Sequence, residues 1–318
     1  MNRTKQISGI LLCILMILLS PVAALAAGNI DLSREVSLTV LYQNNDTPLI
    51  GAEFSVYLVA TVNEQAELTP VEAFSRYSVE IQSKDEETWK TLASTLEGYV
   101  LRDAVPPAGI GVTDAQGKVT FPADGNTLTP GLYLVLGSRH IQDGYRYDAM
   151  PFVVMLPSLD RETGAWVYDV ETYAKNDFAP VSGDTVARKV IKVWKDNGYK
   201  EERPQEVVVQ LLRDGNVFDT VTLHAGNNWR YSWEGLDSRY SWTVVEKELR
   251  NYTVKIVREG ITFIITNTHP NDKPDDPPPV IPQTGQLWWP VPLLVCGGLL
   301  FIVMGLIVRR GAAYEEKE

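Results

Sequence analysis

The chain has 318 residues, 45% hydrophobic and 22% charged, which excludes a wholly disordered or collagen-like protein and leaves room for two ordinary domains. A formal net charge of -11 argues against a nucleic-acid-binding surface, which needs clustered Lys and Arg. The two cysteines, Cys13 and Cys296, lie in long apolar runs at opposite ends, so the folded middle is expected to hold no disulfide.

Arg3 and Lys5 are followed by the apolar stretch Ile10 to Leu19, then Pro21 and the small residues Ala23, Ala24, Ala26 and Ala27. That order predicts a secretory signal peptide over residues 1–27, with an uncleaved membrane anchor as the alternative.

From residue 28 the pattern becomes strand-like. Val36, Leu38 and Val40 alternate with Ser37 and Thr39, Asn44-Asn45-Asp46 supplies a turn, and Gly51 to Val59 resumes the β pattern. One segment reads as a helix, because Trp89, Leu92, Ala93, Leu96 and Tyr99 share an apolar face. Strands return at 118–121, 131–136, 151–156 and 166–173, which predicts a first domain over 28–179, mostly β with a helical insertion. Pro180 to Asp184 reads as a connector.

The second domain, within 180–269, reads as all β, with strands at 190–194, 206–212, 217–223, 229–233, 240–246, 252–257 and 261–267. The expected fold class is therefore all-β: two Ig-like or prealbumin-like sandwiches, the first with the helical insertion. Residues 270–280 are rich in proline and lack apolar periodicity, so they predict an extended spacer.

After the spacer come Ile281, Pro282, Gln283, Thr284 and Gly285, then a largely apolar run over 287–308, then Arg309 and Arg310. The run is long enough to form a transmembrane helix, and the arginines would hold its end in the cytoplasm. A plain membrane anchor would need no more. The ordered set in 281–318 resembles a Gram-positive cell-wall sorting signal, an LPXTG pentapeptide with Ile281 in place of Leu. The resemblance implies that a sortase cleaves between Thr284 and Gly285 and joins the Thr284 carbonyl to an amine. The precursor would sit transiently in the membrane, and the secreted product would be anchored to peptidoglycan.

Three strands of the second domain set a polar residue among large apolar ones on one alternating face. Lys192 shares parity with Val190 and Trp194, Glu246 with Trp242 and Val244, and Asn267 with Phe263 and Ile265. Each would be costly to bury alone. Together, a Lys whose pKa burial lowers is an amine nucleophile, and a Glu whose pKa burial raises is a proton donor and shuttle. A Lys-Asn isopeptide bond with loss of ammonia would be the product. The alternative is that Lys192 snorkels to an edge and Glu246 faces solvent.

Lys192-Val193-Trp194-Lys195-Asp196, Arg203-Pro204, Val207 to Leu212, Trp229 with Tyr231, Tyr240 to Glu246 and Ile265-Thr266-Asn267-Thr268 resemble a Cna protein B-type repeat. That resemblance implies a cross-link between Lys192 and Asn267 assisted by Glu246. Such a bond would join residues 75 apart (267 - 192), worth about 4.5 kcal/mol on the chain-entropy scale used for disulfides. No Lys occupies the Val36 to Tyr42 strand, so no second clamp is expected in the first domain.

Trp166, Val170, Tyr173, Lys175 and Asn176 match the pilin motif WxxxVxVYPK-Asn of sortase-assembled backbone pilins, with Thr172 for Val and Ala174 for Pro. Gly51 to Phe54, the helix around Trp89, Thr113 to Phe121 and Pro130 to Val135 extend the resemblance to the pilin N-terminal domain. It implies that the Lys175 amine attacks the sortase-bound Thr284 of a neighbouring subunit. Read from residues alone, Lys175 is a solvated Lys-Asn turn at the end of a last strand.

His140, His224 and His269 are isolated, and no metalloprotease, nucleophile-elbow or P-loop pattern occurs, so no metal, no cofactor and no turnover of an external substrate are expected. The expected function is a wall-anchored pilin subunit whose partners are sortase, neighbouring subunits and peptidoglycan. The alternative is a non-polymerising wall-anchored adhesin or terminal pilin with a host surface ligand.

Overall fold

The computed structural model describes residues 28–82, 86–123, 127–160 and 162–272. The apolar alternation that opens the first domain becomes β1 (Ser37–Asn44), whose Leu38, Val40 and Tyr42 point into a core. It turns at Asn45 and Asp46, with φ of 46° and 65°, into β2 (Thr47–Pro48). A short hairpin turn needs positive φ at both central residues, and Asn and Asp tolerate it best after Gly.

There follow β3 (Glu53–Val62), β4 (Leu68–Pro70), α1 (Glu72–Ser75), α2 (Glu86–Arg102), β5 (Gly109–Val112), β6 (Lys118–Phe121) and β7 (Gly131–Gly137). The domain continues through β8 (His140–Gln142), β9 (Tyr145–Ala149), β10 (Phe152–Leu156), β11 (Ser158–Leu159), β12 (Trp166–Val167), β13 (Asp169–Ala174) and β14 (Asn176–Pro180). One sheet centres on β1, flanked by β13 and β6; another runs β10-β7-β3-β4, with β5 also on β3. Phe54 and Val56 of β3 and Tyr133 and Val135 of β7 share a core with β1 and with Val119 and Phe121 of β6.

The second domain comprises β15 (Thr185–Lys195), β16 (Glu206–Arg213), β17 (Asn216–His224), β18 (Arg230–Asp237), β19 (Trp242–Glu246), β20 (Thr253–Glu259) and β21 (Thr262–Thr268). Its sheets run β18-β15-β21-β20 and β17-β16-β19, with Val190, Val209, Leu211, Val244, Ile256 and Ile265 buried between them. The fold is thus mostly β, two sandwiches with one long helical insertion. Each sandwich pairs its early strand in parallel with a late one: β1 with β13, Leu38 opposite Val170, and β15 with β21, Lys192 opposite Ile265.

The segment expected as one strand over 166–173 is divided. Trp166–Val167 pairs with β11, and the chain re-enters at Asp169 to pair with β1. β8, β9 and β14 carry no marked apolar alternation, and in β5 Ile110 and Val112 alternate with glycines but are exposed; β9 reads Tyr-Arg-Tyr-Asp-Ala and β14 ends in Pro180, where a connector is expected from the sequence. A proline is tolerated where β14 borders its small sheet.

The helix α2 belongs to the first domain in sequence and touches both domains in space. It packs on β7 and β10 of the first and on β19 and β20 of the second, within one continuous apolar cluster that joins Leu96 and Tyr99 to Val244 and Val245. This double cover explains why all five residues of β19 are buried, where one core-facing side would bury alternate residues. The described residues, up to Asp272, belong to a single compact unit.

Candidate functional site

Lys192, Glu246 and Asn267 converge inside the second sandwich. Lys192 and Asn267 lie on the adjacent parallel strands β15 and β21, where Lys192 is opposite Ile265 and Trp194 opposite Asn267, so the two polar residues share a face. Glu246 ends β19 in the other sheet and reaches across the core. The side chains of Lys192 and Glu246 are 0% and 1% exposed, with Nζ 3.5 Å from Oε2. The Asn267 amide Nδ2 donates to Glu246 Oε1 at 2.6 Å.

Nζ also donates to the Val193 and Ile265 carbonyls at 3.3 and 3.4 Å. It stands 4.3 Å from the centre of the Trp194 ring. Burial pushes the Lys192 ammonium down to about 8, against the opposing pull of Glu246. The same burial pushes Glu246 up, again against its partner's charge. Both shifts favour the uncharged pair, an amine beside a carboxylic acid.

Two acceptors, Glu246 Oε2 and Asn267 Oδ1, have no hydrogen-bond partner. Turning the amide over and protonating Glu246 gives Oδ1 the partner it lacks, since the carboxylic O–H then donates to the amide oxygen. In that form the carboxamide carbon is polarised by an acid whose other oxygen is 3.5 Å from the Lys192 amine.

Aromatic cover keeps water from this group. Trp194 meets Trp229 and Tyr252 edge-on at 5.2 and 5.3 Å, and the Arg203 guanidinium lies 5.1 Å from the Trp194 ring centre. Arg203 is held there by two hydrogen bonds to Asp196, at 2.8 and 2.6 Å. The pairing keeps the nearly buried Asp196 carboxylate below its usual range. Trp-x-Asp and the later Arg-Pro are thus parts of one lid. Their spacing in the sequence carried the family resemblance without showing that role.

Lys175 lies elsewhere, exposed between β13 and β14. Its backbone is fixed: Ala174 is buried opposite Tyr42, the Lys175 carbonyl accepts from Met150 N at 2.8 Å, and Asn176 Nδ2 donates to the Gln43 carbonyl at 3.0 Å. The expected signal peptide, the spacer beyond Asp272, the pentapeptide Ile281 to Gly285 and the apolar run to Val308 lie outside the described residues.

The family model for the Gram-positive pilin subunit D1 N-terminal domain matches residues 36–177, and that for the Cna protein B-type domain matches residues 188–268. The chain is similar to a collagen adhesin of Staphylococcus aureus, 29% identical over 140 residues, a stretch covering 38% of this chain and 12% of that protein. Among solved structures, the full-length major pilin SpaD from Corynebacterium diphtheriae is similar over 76% of this chain and 66% of its own, with 18% identity and a TM-score of 0.30. A single B repeat unit of the collagen-binding surface protein of Staphylococcus aureus is similar over 74% of this chain and 98% of its own, with 16% identity and a TM-score of 0.26. The chain thus carries a Gram-positive pilin D1 domain over residues 36–177 and a Cna protein B-type domain over residues 188–268.

Proposed function

We propose that the protein is a wall-anchored pilin subunit, hardened by an isopeptide bond between Lys192 and Asn267 and joined to its neighbours by sortase. The observation that carries this reading is the dry group of Lys192, Glu246 and Asn267 in the second core. The neutral Lys192 amine attacks the Asn267 side-chain carbonyl carbon while protonated Glu246 donates to its oxygen. The new Nζ–Cγ bond replaces the Cγ–Nδ2 bond. Glu246 then carries the proton lost by the amine to the departing nitrogen, which leaves as ammonia. Each chain reacts once, and Glu246 ends unchanged.

The bond would tie β15 to β21, the paired strands at the two ends of the domain. Tension entering along one and leaving along the other would then cross an amide bond. Between subunits, the exposed Lys175 amine would take the Thr284 carbonyl from sortase, and Thr284 of a terminal subunit would pass to peptidoglycan. A non-polymerising adhesin or terminal pilin with a host ligand is the second reading, favoured by Ala174 and Thr172 where backbone pilins have Pro and Val.

The test is a Lys175→Ala strain examined by denaturing gel electrophoresis of wall extracts, with mass spectrometry for a branched Lys175-Thr284 peptide from the parent. Ladders that vanish in the variant support the subunit link. Ladders that persist overturn the role of Lys175, and a parent strain with neither ladders nor the branched peptide favours the second reading.

A further inference from the structure

The two domains also meet at a cleft of about 130 Å³, lined by Arg139, Arg146, Arg188 and Arg258 together with Asp148 and Asp177. Arg146, Asp148 and Asp177 come from β9 and β14 and Arg139 from just before β8, all in the first domain; Arg188 and Arg258 come from β15 and β20 of the second. Four guanidinium groups therefore face two carboxylates. Asp148 is already engaged, accepting from Arg139 at 2.6 and 2.9 Å. Arg139 and Arg146 both donate to the Ser238 carbonyl, at 3.1 and 2.6 Å, and Arg258 donates to the Gly260 carbonyl at 3.2 Å.

Arg188 stands out. It shares the inward parity of Val190 and Lys192, is only 6% exposed, and donates to the Ala187 carbonyl at 2.8 Å, while its Nε has no partner. Burial first, then Arg258, Arg146 and Arg139, push this guanidinium down to about 10. Glu97 of α2 interacts electrostatically with Arg258, and desolvation pushes its carboxyl up to about 7. Even with Glu97 ionised, one positive charge is left over in a chain whose net charge is -11. A buried, incompletely partnered guanidinium is expensive unless an anion meets it. At about 130 Å³ the cleft is small but has room for one tetrahedral oxyanion.

We propose that this cleft binds one tetrahedral oxyanion, inorganic phosphate or the terminal phosphoryl group of a small ester, gripped by Arg188 and Arg258 from one domain and Arg146 from the other. Guanidinium forks match such an anion, and arginines contributed by both domains make it a tie between them.

The test uses residues 28–272, which hold both cores in one compact unit. Inorganic phosphate and, in a parallel arm, glycerol phosphate are titrated by calorimetry and by thermal unfolding against sodium chloride of equal ionic strength. Saturable binding at one site with a rise in Tm beyond the chloride control is expected. Binding of both ligands assigns the site to terminal phosphoryl groups, and binding of phosphate alone assigns it to the free ion. Arg258→Gln, an exposed position, is expected to weaken binding at least tenfold. Arg188→Met is expected to abolish binding while keeping its Tm in chloride, since the buried charge is replaced by a stem of similar shape. Equal responses to phosphate and chloride, or unchanged phosphate binding in both variants, would overturn the proposal.

Discussion

The hydroxyl oxygen of Thr95 on α2 accepts the main-chain N–H of Ile256 on β20 at 2.8 Å, so that a helix of the first domain closes the open edge of a sheet in the second. The same hydroxyl donates to the Thr91 carbonyl at 2.8 Å, and the Ser78 carbonyl accepts from Val254 N two residues along the same edge. Exposed strand edges invite pairing with other chains, and these bonds satisfy the N–H groups that would do so.

Replacing Thr95 by Val keeps the shape and removes the acceptor. The Ile256 N–H is then buried without a partner, and a loss of about 1–3 kcal/mol is expected in urea unfolding of residues 28–272. Thr95→Ser should retain most of the stability. Equal stability of the Val variant and wild type would show that water satisfies the strand edge.

Gly98 marks where the helix comes nearest the second sandwich. A Cβ there would stand 2.7 Å from the Val244 carbonyl oxygen and 3.2 Å from the Val245 Cβ. Gly98→Ala gains about 1 kcal/mol of helix propensity and forces α2 away from β19, an overpacking cost of about 1–3 kcal/mol. Because the obstructing atom is backbone, the cost wins. The variant is expected to unfold at a lower Tm, and a higher Tm would mean that the helix can shift freely.

Much of this was legible in the sequence, for identifiable reasons. Period-2 alternation assigned Lys192, Glu246 and Asn267 to inward faces, and the three meet in the core. The stripe of Trp89, Leu92, Ala93, Leu96 and Tyr99 gave the helix. Its second contact was hidden, because Thr95 and Gly98 matter through a hydroxyl and through missing atoms, neither of which registers as hydrophobicity. β9 and β14 were hidden because their side chains serve a polar cleft. Arg188 had the same parity as Lys192, and its inward position could have been read from that signal.

The lid over the candidate site makes a separate prediction. Arg203→Ala removes the cation from the Trp194 face and leaves the nearly buried Asp196 carboxylate unpaired. Breaking such a pair costs about 3–5 kcal/mol, and water gains access to Lys192. Slower appearance of the cross-linked species after refolding is expected, followed by mass spectrometry over time. An unchanged rate would remove the lid from the account.

Glu246→Gln leaves Lys192 a free amine in a buried setting. Its folded pKa already lies near 8, below the ordinary 10.5, and removing the Glu246 charge that raises it deepens the depression. Between the variant's folded value, below 8, and 10.5 the unfolded chain binds a proton that the folded chain refuses, so stability rises with pH through that window. At about 1.4 kcal/mol per unit the gain is on the order of a few kcal/mol. A cross-linked wild type has no amine at this position and lacks the slope. Identical pH profiles for the two proteins, measured by urea unfolding, would contradict this.

The account turns on one covalent bond, and intact mass measures it directly. Folded wild-type residues 28–272 should weigh less than their sequence by one ammonia, and Lys192→Ala, Asn267→Ala and Glu246→Ala should each recover the mass expected from sequence. A folded wild-type protein at its full sequence mass would contradict the claim that Lys192 and Asn267 are joined.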